Sequence, residues 1–239
     1  ALRDLAQGVG VAKTTAFNLV GALVDVGFAE HDPEKGLYRL GLLHMVYGRA
    51  VERRLDMVAS IRPYLVRLCA ETRETVNLAL PCTTDAIIVE SLESNQSLRV
   101  SSYAGTRADY HSTACGRALI AWRSNEFRKT ILELAPLNSK TPNTTTDLAA
   151  LNVLLEQCRE RGWSHEYEEN EIGSACVAAP ILDALDQPIA SVSVAGPAAR
   201  FNDAMMQDLG KMLIERMAEI STALQRQVSG PDIRLLAQR

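Results

Sequence analysis

The sequence predicts an α+β protein in two parts, an N-terminal winged helix-turn-helix and a larger sheet-and-helix domain, joined by a linker helix. Three observations predict it. First, Val11 to Val26 places Ala16, Leu19, Val20, Leu23 and Val24 on one helical face, and a short helical segment with a glycine-containing break precedes it. Second, two extended runs flank Asp32-Pro-x-x-Gly36 directly behind that helix, which reads as a β-hairpin. Third, beyond Thr72 the apolar period changes from 3.6 to 2.

Leu2, Leu5 and Ala6 share one side of a first helix, which Gly8-Val-Gly-Val11 breaks. The second helix presents Lys13, Thr14, Thr15, Phe17, Asn18 and Gly21 on its other face. Short hydrogen-bond donors and a cation on the first turns are what a DNA-reading helix offers to phosphates and base edges. Gly27 suits the residue after the helix end. The hairpin behind it, carrying Lys35 and Arg39, is the wing. An ordinary small α+β subdomain fits the same pattern. The chain opens inside a helical pattern, which leads us to expect one more helix ahead of Ala1.

This first part, residues 1–41, carries Arg3, Lys13, Lys35 and Arg39 against Asp4, Asp25, Glu30, Asp32 and Glu34. The excess is acidic, whereas DNA binders present a basic face. Lys13, Lys35 and Arg39, however, lie on the second helix and the wing, and a dimer doubles the phosphate contacts.

Residues 42–55 have helical spacing and read as the linker helix. Asp56 to Thr72 is a further helix with Val58, Ile61, Leu65, Leu68 and Cys69 inward and Pro63 as a kink or a late start. Strands are expected at Thr75–Leu80, Ala86–Leu92, Leu98–Tyr103, Trp163–Glu168, Ala175–Leu182 and Ile189–Ala195. Helices are expected at Ala114–Trp122, Glu126–Leu134, Asp147–Arg161 and Asn202–Gln227. Leu148, Leu151, Leu154, Leu155 and Cys158 form the inward face of the third of these. Pro136 to Thr146 is a polar loop, and residues 229–239 are a tail. About six strands with helices on one side make 56–228 a sensor-like α+β domain.

Composition excludes several classes. The 239 residues carry a net charge of −4, and no apolar run is long enough to span a membrane. Cys69, Cys82, Cys115, Cys158 and Cys176 are odd in number and contain no C-x-x-C, and the four histidines lack metal-ligand spacing. We therefore expect a cytoplasmic chain with no metal, no cofactor and no disulfide framework.

Two stretches carry candidate chemistry. Gly105 to Ala121 turns on glycine into small polar residues that open a helix at Thr113-Ala114-Cys115-Gly116. This suits an anionic ligand, or a helix start packed tightly on the sheet. Glu166 to Pro180 opens with four carboxylates in six positions; it lacks the calcium-loop pattern and reads as a solvated loop. The rival enzymatic reading pairs Cys115 with His111 as nucleophile and base. The plainer one makes Cys115 a small lining residue, with no catalytic residue in the chain. A pure interaction module leaves the Lys-Thr-Thr helix unexplained.

These stretches together resemble the IclR family of bacterial transcription regulators. The matching residues are Lys13-Thr-Thr and Asp32-Pro-x-x-Gly36-x-Tyr38-Arg-Leu-Gly41, then Gly105-x-Arg107 and His111-x-Thr113-Ala114-x-Gly116-Arg117-Ala-Leu. Glu168-Glu169-x-x-x-Gly173-x-x-Cys176-Val-Ala-Ala-Pro-Ile181 and Gly196-Pro197 follow in the expected order. The resemblance implies a winged helix, a linker helix and a GAF-like effector-binding domain with a mixed or antiparallel sheet. It also implies homodimers or tetramers on double-stranded operator DNA, with a small organic acid, carboxylate or aromatic, as effector and no membrane partner. Carried over by position, the effector site is Val100, Ala114, Cys115, Glu166, Ser174, Cys176, Ser193 and Ala195; the outward helix face and the wing give the DNA-reading set Lys13, Thr14, Thr15, Phe17, Asn18, Lys35 and Arg39. Asn18 stands where the family often has Arg, Ala108-Asp109-Tyr110 replaces x-Pro-Leu, and Arg117 replaces a common Lys. Tyr103 and Tyr110 are then candidate aromatic walls.

Overall fold

A computed structural model describes residues 1–54 and 56–228. Leu55, at the end of the expected linker helix, and the expected tail lie outside them. The chain forms two compact units, one up to Asp56 and one from Met57 on.

In the first unit, α1 (Leu2–Val9) and α2 (Lys13–Asp25) are joined by a turn through Gly10, whose φ of 71° is left-handed. Val11 N–H closes that turn on the Ala6 carbonyl at 3.0 Å. The break therefore falls at Gly10, not at Gly8, which α1 tolerates at a cost of about 1 kcal/mol. On α2 only Ala16 is buried, with Val20 and Val24 half-buried. Leu19 and Leu23, expected inside, stand 55% and 46% exposed. Two helices and a hairpin cover only the narrow Ala16-Val20-Val24 line, and Leu19 and Leu23 fall to one side of it. The wing pairs β1 (Ala29–Asp32) with β2 (Leu37–Leu40) in antiparallel register, Glu30 opposite Arg39 and His31 opposite Tyr38. Asp32 Oδ1 accepts from the Glu34 and Lys35 N–H groups at 3.1 Å each, which sets the turn. Gly41 ends the wing, where a Cβ would meet the Gly27 carbonyl oxygen at 2.1 Å. Beyond it runs α3 (Leu43–Arg54), on which Tyr47 stacks against Phe28 and His44 meets the same ring edge-on.

The second unit is built on a six-stranded sheet in the order β5-β4-β3-β8-β7-β6, every pairing antiparallel. Its strands are β3 (Thr75–Pro81), β4 (Asp85–Leu92), β5 (Arg107–Asp109), β6 (Ser164–Tyr167), β7 (Ser174–Leu182) and β8 (Pro188–Pro197). The helices are α4 (Asp56–Thr72), α5 (Ala114–Ile120), α6 (Asn125–Leu134), α7 (Leu148–Arg161) and α8 (Asp203–Val228). They cover both faces of the sheet, not one. On one face Ile61, Leu65 and Leu68 of α4 and Leu209, Leu213 and Met217 of α8 pack on Val76, Val177, Val192 and Val194. On the other, α5, α6 and α7 bring Ala118, Leu119, Ile131, Leu151 and Leu155 onto Ala79, Ala178 and Ala195. The reason is legible in β7 and β8: their runs are apolar or small at nearly every position, so neither face can be left to water.

Two further expectations change. Leu98 to Tyr103 forms no strand; Arg107–Asp109 takes the outer edge of β4 instead. The displaced segment is held by side chains, with Thr75 Oγ1 donating to the Val100 carbonyl at 2.6 Å and Ser102 Oγ to Asn77 Oδ1 at 2.5 Å. Leu148, in the first turn of α7, is 39% exposed; the Asp147 cap opens that turn, its Oδ1 accepting from Ala150 N–H at 2.8 Å.

Candidate nucleic-acid interface and ligand site

The DNA-facing candidates converge on the start of α2. Its cap residue is Ala12, which supplies no side-chain acceptor, and the first turn-closing bond is Ala16 N–H to the Ala12 carbonyl at 2.9 Å. The N–H groups ahead of it are thus open to an external acceptor, a ready seat for phosphate. Lys13, Thr14, Thr15, Phe17 and Asn18 are all exposed around that turn, Phe17 by 58%. On the wing, Arg39 pairs with Glu30 at 2.6 Å and Lys35 with Asp32 at 3.8 Å. These pairs are exposed and worth little in water, so both cations can be exchanged onto phosphate at small cost.

The ligand candidates converge on the α5 face of the sheet. Glu166, Cys176 and Ala195 lie side by side on β6, β7 and β8, and Ser193 follows two residues along β8. Over them sits the start of α5, where Ser164 Oγ donates to the Ala114 carbonyl at 2.5 Å and Ser191 Oγ to that of Cys115 at 3.1 Å. Val100 packs half-buried against this cluster. Ser174, at the β7 end, is half-buried and receives the Glu168 N–H on its carbonyl. The start of α5 itself is a tightly packed helix end. Thr113 Oγ1 accepts from Gly116 N–H at 3.1 Å, and a Cβ on Gly116 would lie 2.4 Å from the Asp109 carbonyl oxygen.

The acidic loop is solvated only in part: Tyr167 and Asn170 to Gly173 are exposed as expected, whereas Glu166 is buried and Glu169 half-buried. Glu166 is 3% exposed, and its Oε2 accepts from the Glu169 and Asn170 N–H groups at 3.0 and 3.4 Å. Burial pushes its carboxyl up to about 7, against the pull of those two N–H groups. Glu169 meets the buried Arg117 with both oxygens, one of them at 2.7 Å. Arg117 also donates to the carbonyls of His111 at 2.8 Å and His165 at 3.1 Å, and Thr145 Oγ1 donates to Glu169. Glu169 is the carboxylate that pairs with Arg117, which lies buried in α5. Sequence reasoning missed this pair; its signal was one arginine in an otherwise small and apolar helix.

The chain matches two family models, "IclR helix-turn-helix domain" over residues 1–33 and "Bacterial transcriptional regulator IclR C-terminal" over residues 49–222. The chain belongs to the IclR family. Like the family's other members, it is a DNA-binding transcriptional regulator. It is 31% identical to the acetate operon repressor of Salmonella typhimurium over 225 residues, 93% of this chain and 82% of the relative. The crystal structure of the Thermotoga maritima IclR superposes with a TM-score of 0.72 at 31% identity, covering 94% of this chain and 91% of that one. An IclR homologue from Microbacterium hydrocarbonoxydans, solved with 4-hydroxybenzoate, shares the fold at a TM-score of 0.74 and 23% identity, over 95% of this chain and 91% of that one.

The IclR relatives are named as regulators and repressors, not enzymes, and among the described residues no hydrogen bond joins Cys115 to His111. His111 Nε2 lies 2.9 Å from the Asn138 carbonyl, while Cys115 Sγ faces Thr113 Oγ1 at 3.6 Å. Burial pushes the Cys115 and Cys176 thiols up, the opposite of an activated thiolate. The two candidate aromatic walls are placed differently. Tyr110 is buried with its hydroxyl donating to the Cys82 carbonyl at 2.7 Å, and Tyr103 is 73% exposed. Among the described residues no helix is long and apolar enough to cross a membrane.

Proposed function

We propose that Lys13, Thr14, Thr15, Phe17 and Asn18 read operator DNA from the groove while Lys35 and Arg39 on the wing hold its phosphates. The reading divides the chain into a DNA-binding domain (1–41), a linker helix (42–55) and an effector-binding domain (56–228). It pairs two copies, or two pairs, on one operator. The observation that carries it is the start of α2, with its threonines exposed and no side-chain cap. The effector is a small organic acid bound by Val100, Ala114, Cys115, Glu166, Ser174, Cys176, Ser193 and Ala195. The small side chains of that set and the 4-hydroxybenzoate of the Microbacterium relative support this class. The ligand acts by binding one operator-spacing state of the dimer more tightly than the other, which alone couples the two sites.

Footprinting on the neighbouring promoter, with and without small carboxylic and aromatic acids, tests the reading. A protected site whose affinity shifts with one of the acids is expected. Lack of protection at low salt, with every acid tried, overturns it. A thermal-shift screen with the same acids finds the effector, because a ligand of the folded form raises the melting temperature.

A further inference from the structure

On the sheet face opposite the ligand candidates, a groove of about 390 Å³ runs between the end of α7, β6 and the first half of α8. Arg161, Trp163, His165, Asp203 and Lys211 line it. Arg161 is fixed in place from three sides. Its Nε donates to the Trp163 carbonyl at 2.7 Å, its guanidinium lies 4.2 Å over the Trp163 ring, and its Nη2 donates to His165 Nδ1 at 2.7 Å. Here, among the described residues, no carboxylate lies within 4 Å of Arg161 or of Lys211, and Nη1 of Arg161 donates to no protein acceptor.

His165 completes the set. An arginine can only donate, so Nδ1 is the acceptor and the ring proton sits on Nε2. The groove thus offers N–H donors from an arginine, a histidine and a lysine, with two fixed positive charges against the single carboxylate of Asp203. Three donors on three side chains suit a tetrahedral oxyanion, which offers oxygens in several directions, better than a planar carboxylate with two.

We propose that this groove binds a phosphate-bearing small molecule, a second ligand site separate from the effector site. It backs onto the acidic loop: the carbonyl of His165 accepts from Arg117 Nη1, the same guanidinium that holds Glu169. Occupancy of the groove therefore bears on the strand that anchors the loop.

Equilibrium dialysis of the full chain against pyrophosphate, at constant ionic strength, tests the proposal. Saturable binding is expected, weakened at least tenfold by Arg161→Gln and several-fold by Lys211→Gln, with acetate binding far more weakly. Lys211 is exposed on α8, so its variant keeps the fold and decides the matter if Arg161→Gln does not fold. Absence of saturable pyrophosphate binding overturns the proposal. So does binding unchanged by Lys211→Gln, which places the anion elsewhere on the chain, and so does acetate binding as tightly as pyrophosphate.

Discussion

Thr15 and Gly116 show how much one position can decide. Thr15 is exposed on the first turn of α2, so its hydroxyl does nothing for the fold and is free for DNA. Thr15→Ala is expected to keep or slightly raise the melting temperature, alanine being the better helix former at an exposed position. It should weaken operator binding about fivefold, the worth of one hydrogen bond of about 1 kcal/mol. Fluorescence anisotropy on the footprinted site reads this, and an unchanged affinity removes Thr15 from the interface. Gly116 is the reverse case. A methyl group there meets the Asp109 carbonyl oxygen, Thr113 Oγ1 and the Tyr110 Cα at 2.4 to 2.7 Å, and two of those are backbone. Gly116→Ala is expected to destabilise the second unit by about 1–3 kcal/mol, as overpacking does, seen as a lower urea midpoint at unchanged slope.

Between elements, the decisive contact joins α5 to the loop after β6. The Arg117 side chain is 2% exposed and that of Glu169 14%. Removing one partner strands the other charge in a poorly hydrated place, at a cost of about 3 kcal/mol. Removing both removes that penalty. Arg117→Met and Glu169→Leu are each expected to lower unfolding free energy strongly, and the double variant by clearly less than their sum. A double-mutant cycle in urea measures the coupling, and strict additivity would show the pair to be idle. The same loop carries Glu166 into the ligand candidates through the Glu169 N–H, so these variants are also expected to weaken effector binding.

For the molecule as a whole, two buried groups with opposite shifts shape the dependence of stability on pH. Burial holds Glu166 at about 7 rather than 4.5, so the folded chain keeps a proton that the unfolded chain loses. Its contribution falls as pH rises from 4.5 to 7. Burial and the Arg161 charge hold His165 at about 4 rather than 6.5, so the unfolded chain takes up that proton first. Its contribution rises with pH from 4 to 6.5. The two oppose one another across most of that range. Melting temperatures are expected to rise with pH from 4 to 6.5 in Glu166→Gln and to fall from 4.5 to 7 in His165→Asn. Identical profiles in the two variants would refute the assignment.

Much of this molecule lies open in the order of its residues. The helix-turn-helix, the wing and the boundaries of α4 and α7 follow from local rules of period, cap and turn, because each involves residues within a few positions of one another. The IclR motifs are legible for the same reason: each is a short local run. What the linear order leaves undecided is every choice made by partners distant along the chain. Leu19 and Leu23 have helical spacing that fits burial, yet only packing tells which part of an apolar face is covered. Leu98 to Tyr103 has the alternation of a strand, but Arg107–Asp109 takes the place beside β4. The acidic run reads as solvated until Arg117, 52 positions ahead of Glu169, is found buried beside it and paired with that carboxylate. Local propensity is a matter of a few tenths of a kcal/mol per residue, whereas pairing a buried charge or filling a sheet edge is worth several, and so the tertiary contacts win where the two disagree.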